Sequence, residues 1–296
     1  MATASQWIEG ARPRTLPAAV APVLAATAVV AYFHVEVWWK AALALLVSLL
    51  LQVGVNYAND YSDGIRGTDE DRVGPMRLVG SGAAAPAAVK RAAFLAFGLA
   101  AVVGLVLAIS TAWWLVAVGA ASILAAWFYT GGSKPYGYLG LGEVMVFCFF
   151  GLVAVLGTAY VQDQDLHRAS IWPASWWAAV GIGAIACAIL VANNLRDIPT
   201  DAEAGKMTLA VRLGDRHTRL FYGLLVVLAL ASLVGITLNT DLTALVALVA
   251  FIPLGRATIT VIRGAAGPQL IQVLQLTGAG ELVYGAALFI GLLIAR

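Results

Sequence analysis

Two stretches of this chain carry oxygen ligands at spacings that could do chemistry. Residues 56–64, Asn-Tyr-Ala-Asn-Asp-Tyr-Ser-Asp-Gly, place two amides and two carboxylates close together after a run free of acids and bases. At helical periodicity Asn56, Asn59, Asp60 and Asp63 fall within roughly a 100° arc, forming one polar face. The second stretch sets Asn193 four residues before Asp197, with Asp201 four further on. Pro199 disfavours helical geometry at the residue before it, so a kink is expected between Asp197 and Asp201. Asp69, Glu70 and Asp71 follow the first cluster.

Crowded carboxylates repel one another unless a cation sits among them. An oxygen-only set suits a hard ion such as Mg²⁺, which takes one or two carboxylates and fills its remaining positions with phosphate oxygens and water. Basic residues accompany both clusters: Arg66, Arg72 and Arg77 near the first, Arg196, Lys206 and Arg212 near the second. Such side chains are suited to the oxygens of a diphosphate. Helix capping or solvated loop acids would account for one cluster. That explanation does not account for two clusters with the same Asn-x-x-x-Asp spacing. His34, His167 and His217 have no Cys or second His at ligand spacing, which leaves a zinc site without support. The chain also lacks the Gly-x-x-x-x-Gly-Lys-Ser/Thr loop of a nucleotide-driven motor.

The elements that must position these residues are apolar. Of 296 residues, 61% are hydrophobic and 11% charged, against about 25% charged in soluble domains. The apolar residues fall into blocks of a length that spans a bilayer core, about 20 residues each. Nine blocks are discernible, at roughly 14–34, 38–59, 88–109, 111–130, 141–161, 175–197, 218–238, 241–261 and 277–295. The expected fold is all-α: a polytopic membrane protein of about nine transmembrane helices, read as one intramembrane domain over 1–296. A transmembrane β-barrel would show shorter alternating strands. The first block is too long for a cleavable leader and lacks its small-residue cleavage pattern. Cys148 and Cys187 lie inside apolar blocks and read as small hydrophobes.

Alternating the connections across a membrane puts fifteen of the 18 Lys and Arg residues on the side of the N-terminus, leaving only Lys40, Arg168 and Arg296 opposite. The positive-inside rule makes that side cytoplasmic. The two longest polar connections, about 60–87 and 198–217, fall there and are expected to be active-site loops at the cell membrane.

Asn59-Asp60-Tyr61-Ser62-Asp63 resembles the Asn-Asp-x-x-Asp first motif of the UbiA superfamily of intramembrane aromatic prenyltransferases. Asp197-Ile198-Pro199-Thr200-Asp201 resembles that family's Asp-x-x-x-Asp second motif. Longer stretches, residues 11–22, 54–82, 127–143 and 191–214, are similar to the branch that prenylates 1,4-dihydroxy-2-naphthoate for menaquinone. The resemblance implies nine helices around a central cavity, with both motifs holding Mg²⁺ and a polyprenyl diphosphate. It implies a prenyl transfer that releases CO₂ from the naphthoate and gives demethylmenaquinol. The lipid bilayer is the other implied partner, and no nucleic acid is.

Carried over position by position, the resemblance implies Asp60, Asp63, Asp69, Asp197 and Asp201 as metal ligands. It implies catalytic roles for Asp63, Asp197, Lys134 and Tyr129, and diphosphate contacts for Asn59, Asn193 and Arg196, while Arg66, Lys206 and Arg212 are expected to join those contacts as the basic residues beside the two clusters. Many relatives carry a third acid four residues after the second; here that position is Gly67. Asp69 and Asp71 both stand as candidates to complete the first metal site. Gly131 and Gly132 let the chain turn between Tyr129 and Lys134. Glu143 and Glu281 are acids within or beside spans, positions that suggest function by default.

Within such a family the acceptor could instead be 4-hydroxybenzoate, homogentisate or a chlorophyllide. A CDP-alcohol transferase would need Ala-Arg after Gly64, where this chain has Ile65-Arg66. A transporter would hold its site near the bilayer midplane on broken helices, whereas these acids lie at the ends of apolar blocks.

Overall fold

A backbone crossing hydrocarbon has only its own carbonyls to bond with, so long apolar blocks must be helical. The computed structural model describes residues 2–66, 76–165 and 171–296, and among these every regular element is a helix. The helices are α1 (Ala4–Gly10), α2 (Pro17–Tyr32), α3 (Trp38–Ile65), α4 (Pro86–Ser110), α5 (Leu115–Phe128), α6 (Gly142–Val146), α7 (Gly157–Gln162), α8 (Ile171–Glu203), α9 (Leu209–Asn239), α10 (Phe251–Ile262) and α11 (Pro268–Ile294). A π-helical segment, Phe147–Leu156, joins α6 to α7, and a 3₁₀ segment, Leu242–Ala250, leads into α10.

Among the described residues each of the nine apolar blocks therefore falls on helical chain, with 141–161 and 241–261 each divided over more than one element. Seven of these are long and apolar enough to cross a membrane by length and composition, or up to eight if α1 and α2 are taken as one span. The shorter α2 has 16 residues and α5 has 14. At 1.5 Å per residue α5 reaches about 21 Å, less than a hydrocarbon core of about 30 Å.

Helix boundaries differ from expectation at both motifs. α3 continues to Ile65 and so carries the whole first cluster. α8 runs through Pro199 to Glu203 without a break. Proline removes one backbone donor there, and a closing motif beyond it completes the helix. Lys206 N donates to the Asp201 carbonyl at 2.8 Å and Gly205 N to that of Ala202 at 3.2 Å. With Gly205 at φ +70°, this is a Schellman ending. Thr208 then caps α9, accepting from Val211 N at 3.4 Å. The expected 198–217 loop thus shrinks to the residues between Glu203 and Leu209, because 198–203 continue α8 and 209–217 belong to α9, which leaves helical geometry only at Gly214 (φ +73°).

The chain divides into two compact units, one of Met1–Leu16 with Leu46–Leu139, the other of Pro17–Leu45 with Gly140–Arg296. In the first, Ala58, Ala93 and Phe97 form a small core, flanked by Leu51, Tyr57, Ile123, Ala126 and Trp127. A methyl at Gly54 would lie 2.5 Å from the Phe97 ring, so this close approach of α3 to α4 requires glycine. In the second unit α8 is central: 72% of its apolar window is buried, against 28% for Gly142–Gln162. It packs on α9, on the π-helical segment and on α2, while α11 packs on α2 and the 3₁₀ segment. Small residues permit these approaches, as is usual between membrane helices. Trp38, Trp39, Trp113, Trp114, Trp176 and Trp177 are exposed at or near the N-terminal ends of α3, α5 and α8, where an aromatic belt would place them.

The α2–α11 contact yields a test. A Cβ at Gly285 would lie 2.7 Å from the Ala21 carbonyl oxygen, whereas one at Gly98 meets nothing within 4 Å. Gly285→Leu is expected to cost about 1–3 kcal/mol through overpacking. Gly98→Leu should change stability by no more than about 0.5 kcal/mol. Thermal unfolding in detergent micelles, with both variants beside the parent, measures the difference.

Candidate active site

The polar face of α3 gives each of its side chains a different partner within the first unit. Asn56 donates to the Ala11 carbonyl and to Thr15 Oγ1, both at 2.8 Å, tying the N-terminal segment to the helix. Gln52, one turn earlier, donates to Thr15 Oγ1 at 3.1 Å. Asn59 Oδ1 accepts from Thr130 Oγ1 at 2.8 Å. The fully buried Asp60 accepts from Leu78 N at 2.7 Å and Val79 N at 3.0 Å, one amide on each oxygen. Leu78 packs where a Gly10 side chain would be, and Val79 where a Gly64 side chain would be. Asp60, expected among the metal ligands, thus holds backbone at both oxygens.

Asp63 is the carboxylate of this face that meets side chains. Its Oδ1 accepts from Tyr138 Oη at 2.9 Å, and Arg77 Nη2 lies 3.7 Å from its Oδ2. The guanidinium of Arg66 sits over the Tyr138 ring, 5.5 Å from its centroid. The same guanidinium donates to the carbonyls of Thr130 and Gly132. Burial, and then the Asp63 carboxylate, raise the Tyr138 phenol above its ordinary pKa, so it stays protonated and donates.

Tyr129 and Lys134, the two expected catalytic residues of the 129–138 segment, ride on this network. Gly132 takes φ +78°, the left-handed turn between them. Tyr129 packs edge-on against Tyr136, with ring centroids 5.5 Å apart. Its carbonyl accepts from Gly137 N at 3.1 Å. Lys134 is exposed. The structure therefore brings Asn59, Asp63 and Arg66 into one network with the backbone of the segment that carries Tyr129 and Lys134.

In the second unit the cluster organises along a single helix. Arg196 grips Asp197 with a two-pronged contact, Nε to Oδ1 at 2.7 Å and Nη2 to Oδ2 at 2.8 Å. The same Nη2 donates to Asn193 Oδ1 at 3.0 Å. Asn193 Nδ2 in turn reaches Asp197 Oδ2 at 3.5 Å. Lys206 Nζ is 3.9 Å from Asp201 Oδ1. Arg212 Nε donates to the Met207 carbonyl at 3.2 Å, and Gly140, at φ +77°, leaves room beside it. Asn193, Arg196 and Asp197 are thus brought together, as are Asp201 and Lys206, while Arg212 braces the turn before α9.

Asp69 and Asp71 lie outside the described residues. Among the described residues no three His, Cys, Asp or Glu side chains form a ready metal cluster. Each motif instead supplies carboxylate and amide oxygens, a donor set that fits an ion completing its shell with phosphate oxygens.

Sequence reasoning missed Tyr138 as a partner of Asp63. Its only signal was a second tyrosine between glycines in the 136–140 segment. The pairing of Glu143 with Asn194, whose Nδ2 donates to Glu143 Oε1 at 2.9 Å, also went unseen. Cys187 lies on the same helix and donates to the Glu143 carbonyl at 3.1 Å.

Comparison with known proteins identifies the family. Residues 19–267 match the model of the UbiA prenyltransferase family. A 1,4-dihydroxy-2-naphthoate octaprenyltransferase of Mycobacterium tuberculosis is 56% identical over 288 residues, covering 97% of this chain and 96% of its own. The protein of that name from Escherichia coli is 40% identical, covering 77% of this chain and 76% of its own. Among solved structures, a UbiA homologue from Aeropyrum pernix K1 superposes with a TM-score of 0.72 at 14% identity, covering 98% of this chain and 99% of that one. A UbiA homologue from Archaeoglobus fulgidus bound to DMAPP and Mg²⁺ gives 0.61 at 13% identity, with coverage of 96% and 99%. The chain belongs to the UbiA prenyltransferase family.

Proposed function

We propose that this chain transfers a polyprenyl group from polyprenyl diphosphate to 1,4-dihydroxy-2-naphthoate, releasing diphosphate and CO₂ and giving demethylmenaquinol. The observation that carries the reading is 56% identity over 97% of the chain to a protein named for that reaction. The allylic C–O bond breaks and its electrons leave with the diphosphate. The electron-rich ring carbon that bears the carboxylate attacks the allylic cation, and loss of that carboxylate as CO₂ restores the aromatic ring.

Mg²⁺, when bound, would neutralise charge on the departing diphosphate as a Lewis acid. Asp63, Asp69, Asp197 and Asp201 are proposed to hold it. Asp60, whose oxygens each accept one backbone amide and keep further acceptor capacity, is proposed as a partner of this set. Asn59, Asn193, Arg66, Arg196, Lys206 and Arg212 are proposed to order the diphosphate, as charge-assisted donors or as amides. Lys134 would add positive charge where the leaving group develops its own. Tyr129 would line the reacting carbon. Apolar helices would shield the cation from water. We place the N-terminus and both motifs on the cytoplasmic face of the cell membrane, from the imbalance of Lys and Arg between the two sides.

Three measurements test this. Purified protein incubated with labelled polyprenyl diphosphate and a panel of aromatic acids should convert the naphthoate to a prenylated product lighter by CO₂. Conversion of 4-hydroxybenzoate alone would reassign the acceptor. Asp63→Ala and Asp197→Ala should each lower turnover at least about a hundredfold while inserting and purifying normally. Full turnover by either would remove that motif from the mechanism. Activity should disappear in EDTA and return with added Mg²⁺.

A further inference from the structure

We infer that Tyr138 is a positioning residue for Asp63, holding its carboxylate in the orientation in which it meets the Mg²⁺–diphosphate; this rests on the function proposed above. The Tyr138 hydroxyl occupies Asp63 Oδ1 at 2.9 Å, a full hydrogen bond. Oδ2 is the oxygen turned toward positive charge, with Arg77 Nη2 at 3.7 Å. The neutral donor on Oδ1 fixes the plane of the Asp63 carboxylate relative to α3.

Tyr138 can set this orientation because it is itself held. Arg66 stacks on its ring, a contact favoured by the ring quadrupole. Arg66 is anchored to the carbonyls of Thr130 and Gly132. Thr130 returns the chain of contacts to α3 through Asn59 at 2.8 Å. Just before Tyr138, Gly137 N bonds the Tyr129 carbonyl at 3.1 Å, and a Cβ at Gly137 would stand 2.7 Å from that oxygen. The circuit leaves α3 at Asn59 and, just past its end, at Arg66, passes through the 129–138 segment and re-enters α3 at Asp63. Outer partners of this kind orient metal-binding carboxylates, and their loss typically weakens metal affinity by about 10–100-fold.

The test uses the full-length protein in detergent, Mn²⁺ as a paramagnetic substitute, and a prenyl thiolodiphosphate that resists transfer. In Tyr138→Phe the half-saturating Mn²⁺ concentration should rise about 10–100-fold. The melting temperature and the KM for the aromatic acceptor should stay unchanged. In an Asp63→Asn background the same change should add nothing. Equal Mn²⁺ half-saturation in the parent and Tyr138→Phe overturns the inference, as does an undiminished effect in the Asp63→Asn background. Failure of the parent protein to bind Mn²⁺ with the analogue would instead overturn the metal-dependent function. Should Tyr138→Phe not purify folded, Tyr138→His and Tyr138→Leu form a second pair. The donor-bearing His variant should bind Mn²⁺ more tightly than the Leu variant, and equal binding rejects the role.

Discussion

Polar side chains on an apolar helix must find partners, and that requirement organises the first unit around α3. Leaving a buried amide or carboxylate unpaired costs a few kcal/mol, with charged groups costing more. Asn56, Asn59, Asp60 and Asp63 meet the requirement by recruiting three separate pieces of chain: the N-terminal segment, the amides of residues 78–79, and the 129–138 segment through Thr130 and Tyr138. The helix thus acts as a strip onto which loops are fastened. Segments that would otherwise be free to sample many conformations are held where functional side chains depend on them.

The second motif meets the same requirement differently. Its bonds run along one helix, from Asn193 through Arg196 to Asp197, and its end is closed by backbone bonds around Gly205. α8 is also the most buried of the seven long spans. A rigid central helix can hold a charged pair without borrowing loops, because its backbone position is already fixed by packing. One cluster is assembled from distant sequence and the other is local, which separates what sequence could reveal from what it could not.

The apolar blocks and the two motifs were legible because they depend on composition and on fixed spacing. Asn193 and Asp197 sit as their four-residue separation requires. Helix ends were less legible. Pro199 argued for a kink, yet the helix persists because the Schellman bonds of Gly205 and Lys206 follow it. The fate of Asp60 could not be read at all, since its partners are backbone amides eighteen and nineteen residues away, which carry no side-chain signature. Tyr138 was hidden for a related reason: its pairing with Asp63 spans 75 positions and depends on how one glycine-rich segment folds back.

The commitment of Asp60 to backbone amides has an electrical corollary. Among the described residues around it, Asp63 keeps company with two guanidiniums, those of Arg77 directly and Arg66 through the Tyr138 ring. The Asp60 carboxylate also acts on Asp63 through space, so charges of both signs meet at this corner. Because the amides of Leu78 and Val79 fix the Asp60 oxygens, any shift of that loop would move a negative charge beside Asp63. The loop is therefore joined to α3 electrically as well as mechanically.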